Sequence, residues 1–258
     1  MSARGIAILA SLAMLVTACT SSNSTRPIDE KEAAAANVRL GTAYLQQGNL
    51  QLAKDKLEKA ERQDPRSYEV QYAMALLSEQ LQQSSEAEKH YQSALKLAPN
   101  NAGVNNAYAG YLCRNGKVDQ ALKLFEAAMR DPLYPTPWVA SANAAICLRS
   151  DKRNADAIPY LERAIQLRPD YYPAVIELAD LQISIDKPEL ARSAVDRFLS
   201  IGRKSADVLL VGVRAAVAQG DRSAADVYAR LLRRDFPDSA QARALPQLLQ
   251  SPAGSQRP

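Results

Sequence analysis

An alanine returns at Ala53, Ala87, Ala121, Ala157, Ala191 and Ala225 of this chain, at steps of 34, 34, 36, 34 and 34 residues. Proline returns in phase, twelve residues after the alanine, as Pro65, Pro99, Pro169 and Pro237, with Leu133 and Arg203 where the phase fails. A second alanine follows seven residues after the first in four units, at Ala60, Ala94, Ala128 and Ala164. A fixed period of this length constrains a fold strongly, because each unit must be one supersecondary piece that stacks on its neighbours. Between the marks the residues are mostly helix formers, and aromatics make up only 6% of the chain. The unit is therefore a pair of helices and the fold class all-α.

Each mark has a physical task. A small residue where two helices cross lets them approach closely. Gly48, Gly116 and Gly220 fall between the two helices of a unit, where a tight turn asks for positive φ. Proline ends the second helix, since it lacks a donor and pushes its predecessor out of the α region. Asn100, Asp170 and Asp238, directly after three of the prolines, are placed to cap the next helix. Six units fall at about 34–67, 68–101, 102–135, 136–171, 172–205 and 206–239. The fourth holds two extra residues, before Trp138 or in the turn at 150–154, and the fifth has Phe198 and Arg203 in place of alanine and proline. With Leu40-Gly41-x-x-Tyr44, Met74-Ala75 and Tyr108-Ala109-x-x-Leu112 in successive first helices, the pattern resembles the tetratricopeptide repeat. The resemblance implies a right-handed superhelical solenoid of about six hairpins in a domain over 29–245. A short capping helix over 238–245 closes it, and 246–258 reads as a disordered tail.

The N-terminus carries an address. Arg4 precedes an apolar stretch from Ile6 to Val16, and Val16-Thr17-Ala18-Cys19 follows. A charged start, a brief apolar core and small residues before the cut describe a signal peptide over 1–18, shorter than the ~20 residues of a membrane span. The end of it resembles the bacterial lipobox, which implies that Cys19 is lipidated and begins the mature chain. Thr20 rather than Asp in the next position implies the outer membrane of a Gram-negative bacterium, facing the periplasm. Residues 19–28 are polar and read as a flexible tether. Export leaves Cys113 and Cys147, an even pair for an oxidising compartment and so a disulfide candidate. They lie 34 residues apart, one period, which predicts similar heights on neighbouring first helices. Two reduced, buried thiols are the alternative.

Little in the chain points to chemistry. There is no nucleophile motif, phosphate-binding glycine loop or HExxH, and the cysteine and histidine spacings suit no metal. His90 reads as part of a solvated helix face, as do Glu86 with Glu88 and Asp29 with Glu30 and Glu32. A formal charge of +4 without a basic run gives no footprint for nucleic acid. The chain is expected to be no enzyme and to need no cofactor, metal or small-molecule substrate.

Binding is the task that remains. In the tetratricopeptide family the first helices line the inner face, and its register carries over to Val38, Thr42 and Leu45, then Tyr72, Leu76 and Glu79, then Asn106, Gly110 and Cys113. The first two units thus offer an apolar, aromatic-bearing groove for an extended segment or helix, unless Tyr72 and Leu76 only pack on a neighbouring helix. Val38 and Thr42 stand where carboxylate-clamping family members place Lys and Asn, which disfavours that partner type. The stretch Asn105-Asn106-Ala107-Tyr108-Ala109-Gly110-Tyr111-Leu112-Cys113, then Tyr134-Pro135 and Asn143-Ala144-Ala145-Ile146-Cys147, resembles the type IV pilus biogenesis/stability lipoproteins of the PilW/PilF family. That resemblance covers nearly the whole chain and implies a pilotin, which binds the pilus secretin and promotes its outer-membrane localisation and ring assembly. Asn105 and Asn106 join the groove as candidate binding residues. The competing reading is a general periplasmic adaptor lipoprotein that recruits proteases, peptidoglycan enzymes or outer-membrane assembly factors.

Overall fold

A computed structural model describes residues 29–250, which form thirteen helices and no strand. The first hairpin pairs α1 (Glu30–Gln46) with α2 (Leu50–Gln63), the second α3 (Tyr68–Gln80) with α4 (Ser84–Leu97), and the third α5 (Ala102–Arg114) with α6 (Val118–Arg130). The fourth pairs α7 (Pro137–Ser150) with α8 (Asn154–Leu167), the fifth α9 (Tyr172–Ser184) with α10 (Pro188–Ser200), and the sixth α11 (Ala206–Gln219) with α12 (Arg222–Asp235). A last helix, α13 (Ala240–Gln250), closes the array. Stacked, the hairpins make a right-handed superhelical solenoid of tetratricopeptide type. Short connections reverse the chain at every step. All odd-numbered hairpin helices therefore begin, and all even-numbered ones end, on one edge of the solenoid.

The period alanines, Ala53 to Ala225, are all at 0% exposure. Twelve residues before each stands its first-helix counterpart: Gly41, Ala75, Ala109, Ala145, Ala179 and Val213, all buried. In the first hairpin the approach is so close that a Cβ on Gly41 would lie 2.5 Å from Leu57 Cγ. Because the offset of twelve is kept in every unit, the two extra residues of the fourth fall before its first helix, in the connection 131–136. The connection is shaped locally: Asp131 Oδ1 accepts from Leu133 N at 2.9 Å, and Tyr134 N donates to Asp131 O at 3.2 Å. Four core clusters, each shared between adjacent hairpins, together use side chains from Ala34 to Leu249. Residues 29–250 therefore contain all of the apolar packing described.

The turns follow the same register. Gly48, Gly116 and Gly220 take φ of +73°, +73° and +77°; Gln82, Lys152 and Asp186 stand at the same place in the other hairpins with φ of 57°, 60° and 61°. Before the prolines, Asp64, Ala98, Arg168 and Phe236 are turned out of the helix at φ of −142°, −138°, −144° and −139°, the steric effect of a following proline ring. Caps fall one residue later than expected after Pro99 and Pro237. Asn101 and Ser239 accept from Val104 N and Ala242 N, while Asp170 accepts from Arg168 instead. Where Arg203 replaces proline, α10 ends at Ser200 and Gly202 follows with φ of +75°. Phe198 fills the space of an alanine and joins the core at 4% exposure.

The C-terminal boundary at 245 is corrected to a later one. The helix α13 runs through Pro246 to Gln250 because Leu245, Leu248 and Leu249 share a face that packs on the last core cluster. That burial outweighs the hydrogen bond lost at Pro246.

Candidate functional groove

The inner-face positions sit at fixed offsets from the first-helix small residue: three before, one after and four after. In the first two hairpins these are Val38, Thr42 and Leu45, and Tyr72, Leu76 and Glu79, all half-buried. Val38 and Leu45 lean on the first core cluster; Tyr72 and Leu76 lean on the second. Each therefore shares its surface between a neighbouring helix and the groove, so both readings of Tyr72 and Leu76 hold in part.

Behind Tyr72 stands an aromatic wall. Its ring centroid is 6.3 Å from that of Tyr91, which stacks on Tyr108 at 5.2 Å and meets Tyr111 at 5.4 Å. Such pairs stiffen a surface beyond the area they bury. The Tyr91 hydroxyl donates to Glu79, whose carboxylate also takes Arg114 from the next hairpin. Burial first, and then the hydrogen bond to Glu79, drive the Tyr91 hydroxyl far above the ordinary phenol range, so it acts as a fixed donor. Glu79 is thus a clasp between α3, α4 and α5 more than a free polar contact.

Asn105 is corrected from a groove residue to a core residue. It is 1% exposed, and its amide donates to the Pro99 carbonyl at 3.1 Å. Four residues before the small residue, it has the register of buried Asn37, Gln71 and Ser141. In this register Gln71 donates to the Pro65 carbonyl at 3.1 Å. At Asn105 and Gln71 the polar residue fastens the preceding turn, while Asn37 donates to Gln63 Oε1 at 2.7 Å and Ser141 to the Tyr160 carbonyl at 2.7 Å, so each is buried with a partner. Asn106 is half-buried on the inner face, and its Oδ1 accepts from Asn143 Nδ2 at 3.2 Å. Cys113 and Cys147 are bonded, with Cα atoms 5.6 Å apart. Their heights differ, because Cys113 lies four residues after Ala109 and Cys147 two after Ala145. The residues that carried the resemblance to the pilus proteins therefore stitch α5 to α7.

His90 is also corrected. It is 9% exposed, not on a solvated face, and its Nδ1 lies 2.8 Å from Gln71 Oε1. Gln71 Nε2 is spent on Pro65 O and Glu61 Oε1, so its oxygen can only accept and the proton sits on His90 Nδ1. Cys19 lies outside the described residues.

The rest of the inner face was not anticipated. In the last three hairpins the same register brings Ile146, Arg149, Ile176, Asp180, Ile183 and Arg214 to it. Arg149 pairs with Glu177 and Arg214 with Asp180, the latter at 2.7 Å. The groove thus runs from apolar and aromatic at α1 and α3 to ion-paired at α7 to α11. Among the described residues no cluster of His, Cys, Asp or Glu could hold a metal, and no helix is long and apolar enough to cross a membrane.

Tetratricopeptide repeat family models match residues 31–102, 109–172 and 148–209. The type IV pilus assembly protein PilF of Pseudomonas aeruginosa is 32% identical over 88% of this chain and 92% of its own length. An uncharacterised Haemophilus influenzae protein is 34% identical over 54% of this chain and 77% of its own. The solved structure of the Pseudomonas protein superposes with a TM-score of 0.66 at 31% identity, covering 84% of this chain and 98% of that one. PilW, a widely conserved type IV pilus biogenesis factor, superposes with a TM-score of 0.66 at 28% identity over 82% and 97%.

Proposed function

The chain belongs to the tetratricopeptide repeat proteins of type IV pilus biogenesis related to PilF and PilW, and from that premise we propose that it is a pilotin. In this reading it is anchored by lipid on Cys19 to the outer membrane, faces the periplasm, and holds the pilus secretin while the ring assembles. The kinship over almost the full length of the pilus assembly relative carries the proposal. The half-buried apolar face of the first two hairpins supports it, since an ordered apolar surface beside polar Thr42 suits an extended segment or a helix. The groove opens on α1, close in sequence to Cys19, so a bound secretin would be held near the bilayer it must enter.

Two variants test it. Thr42→Arg fills the groove without removing core atoms. It is expected to lose secretin in a pull-down from detergent-solubilised outer membrane while circular dichroism is unchanged. Undiminished capture would place the secretin contact elsewhere. Cys19→Ala is expected to become extractable from the outer-membrane fraction by alkaline carbonate and to mislocalise the secretin; a variant that resists extraction as the parent does would remove the anchor from the proposal.

A further inference from the structure

Ten large apolar side chains are exposed among the described residues, and five of them gather on one edge of the solenoid. Leu97 and Leu167 end α4 and α8 at 43% and 45% exposure, and Ile201 follows α10 at 48%. Leu133, in the connection before α7, is 88% exposed, and Tyr172 opens α9 at 45%. Helix reversal alone puts all five on the edge where even helices end and odd helices begin. The opposite edge has only Leu52 and Leu190. Four of the five thus mark four successive connections, from the one after α4 to the one after α10.

Cations accompany them. Lys96 precedes Leu97, Arg130 precedes Leu133 by three residues, Arg168 follows Leu167, and Arg203 and Lys204 follow Ile201. Lys96 and Arg130 meet no carboxylate among the described residues. Asp170 serves Arg168 and Arg203, Asp235 serves Lys204, and Asp131 accepts within its own turn. Beside these apolar side chains Asp170 and Asp235 are ion-paired and Asp131 meets no cation among the described residues, so the edge presents leucine-type side chains among basic ones that outnumber the carboxylates. That mixture suits a bilayer interface, where apolar groups enter the acyl boundary and basic heads stay with the phosphates.

Chain direction supplies an independent reason. The helix α1 begins at Glu30 on this same edge, so the segment that leads back to Cys19 emerges there. We infer that this edge is a membrane-contact surface, laid on the phospholipid leaflet by Leu97, Leu133, Leu167 and Ile201. The inference gains its orientation from the lipid-anchor reading, but the contact itself needs no anchor.

The test uses a chain beginning at Thr20, which lacks Cys19 and keeps every core residue described. It is mixed with vesicles of phosphatidylethanolamine and phosphatidylglycerol and sedimented. The chain is expected to bind, and Leu133→Asp, Leu167→Asp and Ile201→Asp together to weaken binding at least about tenfold. Helicity should be kept, because all three side chains are exposed. Leu52→Asp with Leu190→Asp, on the opposite edge, should bind as the parent does. No binding by the parent, or equal binding by the triple variant, would overturn the inference. So would a triple variant that loses only secretin capture, which would make the edge a protein contact. Failure of the anchor shows separately, in the carbonate extraction of Cys19→Ala, which a peripheral contact does not survive.

Discussion

Single side chains set how closely the helices approach and which protons they hold. Gly41 shows the first. Leu57 is fully buried, so a methyl group 2.5 Å from its branch point has nowhere to go. Overpacking costs about 1–3 kcal/mol, against a helix-propensity gain near 1 kcal/mol for Gly→Ala. Gly41→Ala is therefore expected to destabilise by about 1 kcal/mol in urea unfolding; equal or greater stability would show that α1 can shift. His90 shows the second. Burial lowers its pKa, Glu61 and Glu86 push it back up, and Lys89 lowers it. The folded state holds this proton less well than the unfolded chain, whose pKa stays near the ordinary ~6.5. Its contribution to stability is complete above that value and declines as pH falls through it towards the folded pKa. Between pH 7.5 and 5.5, His90→Gln should lose less melting temperature than the parent; parallel losses would place the pH response elsewhere.

Helices and their turns repeat one plan with local substitutions. Glycine suits φ near +70°, and a side chain there costs about 1 kcal/mol or more. Lys152→Gly and Asp186→Gly are thus each expected to stabilise by up to about 1 kcal/mol, less the entropy that glycine adds to the unfolded chain. Gly116→Ala should cost a similar amount, and chemical denaturation of the three variants reads all of these. The inner face is governed by the same shared burial. Tyr72 packs on the Tyr91 cluster as well as facing the groove. Tyr72→Ala should therefore cost about 1–2 kcal/mol of stability, in addition to any loss of partner binding. A variant without that cost would show Tyr72 to be wholly a surface residue.

At the scale of the molecule, stability is a sum over neighbours, and one covalent link ties the third hairpin to the fourth. The Cys113–Cys147 loop is long enough for a disulfide to contribute about 3–4 kcal/mol on the chain-entropy model. We expect protein taken from cells and alkylated without reductant to keep the mass of the bonded form. Two alkylated thiols would mean that the pair is reduced in the cell. Cys113→Ala with Cys147→Ala should lower the unfolding midpoint while leaving the other hairpins helical, because each hairpin draws its packing from its neighbours. The groove and the proposed membrane edge also exist only at this scale. Each takes a few positions per hairpin and lines them up by stacking.

The sequence alone determined the period, the fold class, the turn glycines and the proline stops, because each is a local steric requirement written at one position. It also carried the inner-face register through Val38, Thr42, Leu45, Tyr72, Leu76 and Asn106, since a constant offset in a helix is a constant face. Which of those positions are spent on other tasks was decided by packing. Asn105 next to Asn106 is core because one residue turns the side chain by about 100°, towards the Pro99 carbonyl. His90 is buried because Gln71 comes from another helix. Glu79 is a clasp because Tyr91 and Arg114 arrive from two others. Cys113 and Cys147 meet at unequal heights because the two extra residues precede α7, a placement that spacing left open between two turns. A repeat states what each residue does within its own hairpin, and only the stacked solenoid states what stands across from it.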